Sequence, residues 1–221
     1  MIVVHHLNNS RSQRILWALE ELGLDYEVKR YQREPSMQAP ASLRAVHPLG
    51  KSPVIVDGDT TIAESGAILE YLADATGAGR LAPLAGTPER QHYTYFMHYA
   101  EGSLMPLLLM KLIFGRMPTR VPWFMRPVAR AISAGADKTL LDPQIASHFT
   151  FLEGELSKRE WFAGGEFSAA DIQMSFPLEA AAARSPLFAR LPKLSAFVER
   201  IHVRPAYRRA LEKGGPYELM K

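Results

Sequence analysis

The chain has 221 residues, enough for two small domains or one large one, and its 47% hydrophobic and 22% charged residues supply an ordinary buried core. Twenty-six Lys and Arg against 23 Asp and Glu leave a formal charge of +3, too small to imply a nucleic-acid partner. The absence of cysteine excludes disulfides, thiolate zinc sites, iron–sulfur clusters and any thiol nucleophile of the protein's own, so sulfur chemistry has to come from a ligand.

Residues 1–6 lack the basic lead and apolar run of a secretory signal. The longest apolar stretch, 104–114, contains Pro106 and Lys111 and is too short to span a bilayer, so a cytoplasmic address is expected. Residues 2–6 predict a strand, and 11–22 an amphipathic helix with Ile15, Leu19 and Leu22 on one face, stopped by Gly23. A second strand follows at 26–31 and a short helix at 41–46. Residues 54–56 and 60–62 then form a hairpin around Asp57, Gly58 and Asp59. Ser65 opens a helix through Ile68, Leu69 and Leu72, ended by Gly77, Ala78 and Gly79, and Pro83, Gly86 and Pro88 mark a linker. Beyond it the pattern is helical near 89–114, 127–136, 143–158, 169–183, 193–203 and 205–213. Ser168 and Asp171 have the spacing of a capping box. An α/β domain at 1–80 in β-α-β-α-β-β-α order, followed by an all-α domain at 88–221, is the expected architecture.

Several familiar motifs are absent. Gly50, Lys51 and Ser52 lack the glycine that a phosphate loop needs five residues earlier, where Ala45 stands. No dinucleotide fingerprint, serine elbow or paired-histidine metal motif occurs, and no metal site is expected. Three loop segments remain: Asn9, Ser10 and Arg11 after the first strand; residues 47–53, His-Pro-Leu-Gly-Lys-Ser-Pro, before the third; and residues 63–66 at a helix start. In the predicted sheet all three turns can share one edge. A cis bond before Pro53 would turn the amide and carbonyl of Ser52 outward to pair with an extended peptide. At Ser65 a helix N-terminus suits a carboxylate, while Glu64 suits an amine. Lys51 can meet a second carboxylate. Together these residues describe a pocket for a small acidic peptide with one amine.

On these features the sequence resembles the cytosolic glutathione transferases over nearly its whole length. The residues that carry the resemblance are the 47–53 run, the Glu64-Ser65 pair and the Ser168 to Asp171 cap ahead of Phe176, Pro177 and Leu178. Residues 99–104, Tyr-Ala-Glu-Gly-Ser-Leu, resemble more narrowly the fungal and bacterial branch. The resemblance implies a thioredoxin-like first domain, a helical second domain that carries the substrate and dimer contacts, and a two-fold homodimer. It implies that Ser52 and cis-Pro53 hold the cysteinyl backbone of glutathione, Glu64 and Ser65 its γ-glutamyl end, and Lys51 with His47 its glycyl carboxylate. Glu101 would reach the glutathione amine of the partner subunit. Glutathione enters as cosubstrate, with no tightly bound cofactor.

In the family the sulfur is activated from the loop after the first strand. This chain has no tyrosine there, and Asn9 falls where a hydroxyl usually sits, with Ser10 next. Either residue can donate a hydrogen bond to a thiolate and so lower a thiol pKa from about 8.5 towards neutrality, and Arg11 can add a positive field. Both also suit the cap of a helix starting at Arg11, a role compatible with catalysis. Met105, Met110, Phe114, Trp123 and Phe124 are candidates for the wall of an apolar cleft that takes a small hydrophobic electrophile or disulfide. The leading reaction is conjugation in detoxification, and glutathione-dependent disulfide or peroxide reduction is the alternative. Activities that run through a protein cysteine are excluded. A non-enzymatic ligand carrier or protein-binding member of the fold is the reading from another class.

Overall fold

The computed structural model describes residues 1–36, 38–75 and 79–217. Gly77 and Ala78, assigned above to a helix stop, lie outside them. The elements run β1 (Ile2–Leu7), α1 (Ser12–Leu22), β2 (Tyr26–Tyr31), α2 (Ala41–Arg44), β3 (Val54–Asp57), β4 (Thr60–Ala63) and α3 (Ser65–Ala75). Then come α4 (Pro88–Tyr99), α5 (Met105–Arg120), α6 (Arg126–Ala136), α7 (Asp142–Lys158), α8 (Ala169–Ala182), α9 (Pro192–His202) and α10 (Pro205–Gly214). Both halves keep the expected order.

The sheet has the order β2-β1-β3-β4. Helix α1 carries the chain across to make β1 and β2 parallel, whereas β1 with β3 and β3 with β4 are antiparallel. Val4 pairs with Ile55 at the centre, and both are fully buried. The β3–β4 turn is a two-residue loop in which Gly58 takes the left-handed backbone, φ 57°, that such a turn requires. Gly23 ends α1 in the same region, φ 66°.

Helix α8 runs through the middle of the molecule, buried from Ala169 to Ala181, and packs against α1, α3 and α4. One apolar core therefore spans both halves of the chain. Its N-terminus has the predicted capping box. The buried Asp171 carboxylate accepts from the Ser168 N–H at 2.9 Å and from the Phe162 N–H at 2.8 Å. Helix α10 returns onto α1, where Trp17 meets Tyr207 edge to face at 5.1 Å and Arg204 makes a two-pronged contact with Glu21.

The expected single helix over 89–114 is instead α4 and α5 joined by a π-helical turn, Ala100–Leu104, and α5 continues past Pro118 to Arg120. A second π turn, Asp137–Leu141, fuses α6 to α7. Each π turn ends two residues before a proline, Pro106 or Pro143. Proline removes one N–H from the helical ladder and crowds the preceding turn, and widening that turn relieves the clash without ending the helix.

Candidate active site

The three loop segments singled out from the sequence meet at one sheet edge. They form a cavity of about 220 Å³ lined by Arg11, His47, Leu49, Lys51, Ser52, Pro53, Ala63, Glu64, Ser65 and Glu101. The Ser52-Pro53 bond is cis. Ser52 Oγ donates to the His5 carbonyl at 2.9 Å and accepts from the Leu7 N–H at 3.3 Å, which ties the 47–53 loop to β1. Gly50, at φ 56°, supports the turn before it by donating its N–H to the His47 carbonyl at 2.8 Å. His47 Nδ1 is buried in the described structure with no hydrogen-bond partner, a condition that native proteins mostly resolve with a ligand or water. Glu64 sits at φ 70° immediately before α3, whose first-turn N–H groups lack intrahelical acceptors.

One wall belongs to the helical half. Glu101 lies in the first π turn, where its carboxylate accepts from Arg11 Nε at 2.9 Å and from Arg14 Nη2. Arg14, at 2% exposure, also donates to Ser65 Oγ at 2.8 Å and to the Gln173 carbonyl of α8. Burial works against the Glu101 charge, but the two guanidiniums hold its carboxyl below the usual range. Glu101 is thus bonded to Arg11 and Arg14 of the same chain. Arg14, not among the residues singled out from the sequence, couples Ser65 to Glu101. The signal was its placement one turn after Arg11 on α1.

The two candidates for sulfur activation are placed differently. Ser10 is 5% exposed, and its Oγ lies 2.7 Å from Ser12 Oγ and 3.5 Å from Ser52 Oγ while accepting from the Ser12 N–H at 3.3 Å. The last contact lies just ahead of α1, which begins at Ser12 with Arg11 in the N-cap position and no side-chain cap bond, so the cap anticipated for a helix beginning at Arg11 is not formed. Ser12 Oγ in turn lies 2.9 Å from His6 Nδ1, a link the sequence reading did not contain. Asn9, in the left-handed region at φ 50°, lines a separate cavity of about 280 Å³ with His6, Arg30 and Gly215. Neither residue lines the 220 Å³ cavity.

Beyond Arg11 opens a larger cavity of about 840 Å³. Met105, Leu108, Leu109 and Leu112 of α5, Ile145 of α7 and Phe176 of α8 form much of its apolar wall. Arg11, Arg33, Lys111, Arg116 and Arg184 place cations around it, and the Arg11 guanidinium stacks 5.0 Å from the Phe176 ring. Of the five proposed wall residues only Met105 lines this cavity. Met110 and Phe114 pack partly buried against the core, and Trp123 and Phe124 stand in solvent at 78% and 64% exposure. The α5 wall runs through 105, 108, 109, 111, 112, 115 and 116, one side of the helix, from which 110 and 114 are rotated away. Among the described residues no group of three potential metal ligands occurs, and no helix is long and apolar enough to cross a membrane.

A family model described as "Glutathione S-transferase, N-terminal domain" matches residues 1–74, and one described as "Glutathione S-transferase, C-terminal domain" matches residues 116–205. The chain belongs to the glutathione S-transferase family. It is 37% identical over 96% of its length to Glutathione S-transferase 3 of Schizosaccharomyces pombe, covering 88% of that protein. A crystal structure of a glutathione S-transferase from Actinobacillus pleuropneumoniae is 33% identical, with a TM-score of 0.82 over 100% of this chain and 96% of that one. A sphingomonad glutathione S-transferase complexed with glutathione is 27% identical, with a TM-score of 0.72 over 96% and 98%. A disulfide-bond oxidoreductase of Escherichia coli is 28% identical over 96% of this chain and 95% of that protein.

Proposed function

We propose that the protein is a glutathione transferase that binds glutathione in the 220 Å³ cavity and directs its thiolate at a small hydrophobic electrophile in the 840 Å³ cavity. The observation that carries this reading is the position of Arg11, which lines both cavities. Ser52 and Pro53 pair with the cysteinyl backbone, and Glu64 with the N-terminus of α3 takes the amine and carboxylate of the γ-glutamyl end. Lys51 and the free nitrogen of His47 meet the glycyl carboxylate. Of the two activation candidates, Ser10 is favoured because its Oγ neighbours Ser52, whereas Asn9 faces another cavity. A hydroxyl donor and the Arg11 charge both stabilise a thiolate over a thiol. The thiol proton passes to solvent, and the sulfur electron pair forms the bond to carbon as a leaving group departs or an adjacent carbon is protonated. The apolar wall and positioning supply proximity.

Disulfide reduction is the second reading, favoured by the arginines around the larger cavity, which suit the carboxylates of a second glutathione. In it two glutathione thiols reduce one substrate disulfide and leave as oxidised glutathione, while peroxide reduction yields an alcohol and water by the same stoichiometry. Both run in the cytoplasm in a two-fold dimer, with the cavity of about 520 Å³ beside Glu101, His98 and Gln173 facing the partner subunit. Calorimetric titration with reduced and then oxidised glutathione tests the proposal. Heat with the reduced form supports conjugation, and tighter binding of the oxidised form moves disulfide reduction ahead. No heat and no thermal stabilisation with either would overturn both in favour of a carrier or protein-binding role.

A further inference from the structure

The hairpin of α5 and α6 ends in a single 3-10 turn, Trp123–Met125, that no other part of the described chain covers. Trp123, Phe124 and Met125 are 78%, 64% and 46% exposed, and Val128 and Ile132 continue the apolar surface along α6. Isolated exposed apolar residues need no explanation, but a contiguous aromatic tip does.

The charge around it is one-sided. Between Glu101 and Asp137 the sequence has no acid and five cations: Lys111, Arg116, Arg120, Arg126 and Arg130. Lys111 is neutralised by Asp137 and Asp142, at 3.1 and 2.7 Å. None of the four arginines forms an ion pair among the described residues. Arg120 and Arg126 flank the tip, and Arg116 and Arg130 follow four residues down each limb, about 6 Å further along the helix axes. The result is an apolar tip ringed by guanidiniums.

We propose that this tip docks the protein on an anionic lipid surface, with Trp123, Phe124 and Met125 entering the boundary between headgroups and acyl chains and the four arginines meeting lipid phosphates and carboxylates. The amphipathic indole suits that boundary, and arginine stems are long enough to reach headgroups from either limb. Each basic residue near an anionic leaflet adds about 1 kcal/mol of attraction, and a few inserted apolar side chains add the hydrophobic part. A second copy of the chain is disfavoured as the occupant, because two such tips would bring eight unpaired arginines together.

The protein carries its own probe. Of its three tryptophans, Trp17 and Trp161 are 1% and 6% exposed, so a change in emission on adding vesicles reports on Trp123. The expected result is co-sedimentation with phosphatidylcholine vesicles containing phosphatidylserine and a blue shift of tryptophan emission, both reduced by added salt. Neither is expected with phosphatidylcholine alone. Arg120→Gln and Arg126→Gln should each lower the partition constant about fivefold. Phe124→Ser should lower it further while leaving the tryptophan probe in place. Unchanged emission with both kinds of vesicle would overturn the proposal, as would equal binding to charged and uncharged vesicles. A blue shift that grows with protein concentration in the absence of lipid would overturn it in favour of self-association.

Discussion

The hydroxyls of Ser10 and Ser12 lie 2.7 Å apart, and Ser12 Oγ continues to His6 Nδ1 at 2.9 Å. This buried relay holds the Ser10 side chain behind Ser52, which lines the cavity. Ser10→Ala is therefore expected to act on thiol reactivity more than on glutathione affinity. The conjugation rate should fall about tenfold for each unit by which the bound thiol pKa rises, and the pH–rate profile should move to higher pH by the same amount. Asn9→Ala should leave kcat/KM within about a factor of three. An unchanged rate in both variants would remove the two residues from sulfur activation.

Among the described residues the buried cation Arg14 has one carboxylate partner, Glu101, which it shares with Arg11. Taking away that partner leaves the charge in a poorly solvated place. Glu101→Ala should destabilise the fold by about 3 kcal/mol, read as a lower urea midpoint. It should also loosen glutathione binding, because Arg14 is what fixes Ser65 Oγ. Loss of affinity with an unchanged midpoint would show that Glu101 meets the ligand directly and that the Arg14 pair contributes little to folding.

His6 is brought down from 6.5 to about 4, first by burial and then by Arg30. Between those two pH values the unfolded chain takes up a proton that the folded chain refuses. His6 thus stabilises the fold fully above pH 6.5 and loses its contribution as the pH falls through 4, by up to about 3 kcal/mol. Asp171 acts in the opposite direction, since burial pushes it up to about 7 in the folded state. Its contribution is present below about pH 4 and lost as pH rises through 7. The two titrations offset each other in wild-type protein, so the stability gap between wild type and His6→Asn isolates the histidine. That gap, from urea denaturation at about pH 4 and about pH 7, should narrow on acidification.

At Gly50 a methyl group would fall 2.5 Å from Arg44 Cγ, on a backbone at φ 56° that L-residues rarely adopt. Arg44 can swing away, whereas the backbone cannot relax without moving Lys51 and Ser52. Gly50→Ala should cost about 1 kcal/mol in stability, with a larger proportional loss of glutathione affinity measured by calorimetry. Equal binding in this variant would mean that the 47–53 loop tolerates displacement.

Much of the first half was legible because its signals are local. The two-residue alternation of β2, Gly23 and Gly58 at left-handed positions, and the pairing of Ser168 with Asp171 are each decided within a few residues. The helical half was legible in placement but less so in continuity: 89–114 read as one helix through Pro106, and 127–136 and 143–158 as two separate helices, whereas the chain widens into a π turn ahead of each proline and keeps going. His47, Lys51, Ser52, Pro53, Glu64 and Ser65 converge on one cavity because they sit on turns whose positions the strand order dictates, and Glu101 joins them from the π turn of the helical half. The second cavity was poorly legible. Its wall depends on which side of α5 faces α7 and α8, and choosing residues for softness and aromaticity selected Met110 and Phe114 instead of the side that carries 108, 109 and 112. Arg14 and Ser12 went unrecognised because their partners are far away in sequence or reached only through a neighbour's hydroxyl.

Arg11 borders both cavities while its guanidinium rests on Phe176 and bonds Glu101. A single charge shared by two sites makes their occupancies thermodynamically linked. Whatever factor a ligand in the smaller cavity applies to affinity in the larger one, by drawing this guanidinium towards itself or screening it, must be returned unchanged in the opposite direction. Under the proposed function, selectivity for the second substrate is then a property of the pair of ligands, and screening without glutathione would rank candidates in the wrong electrostatic environment.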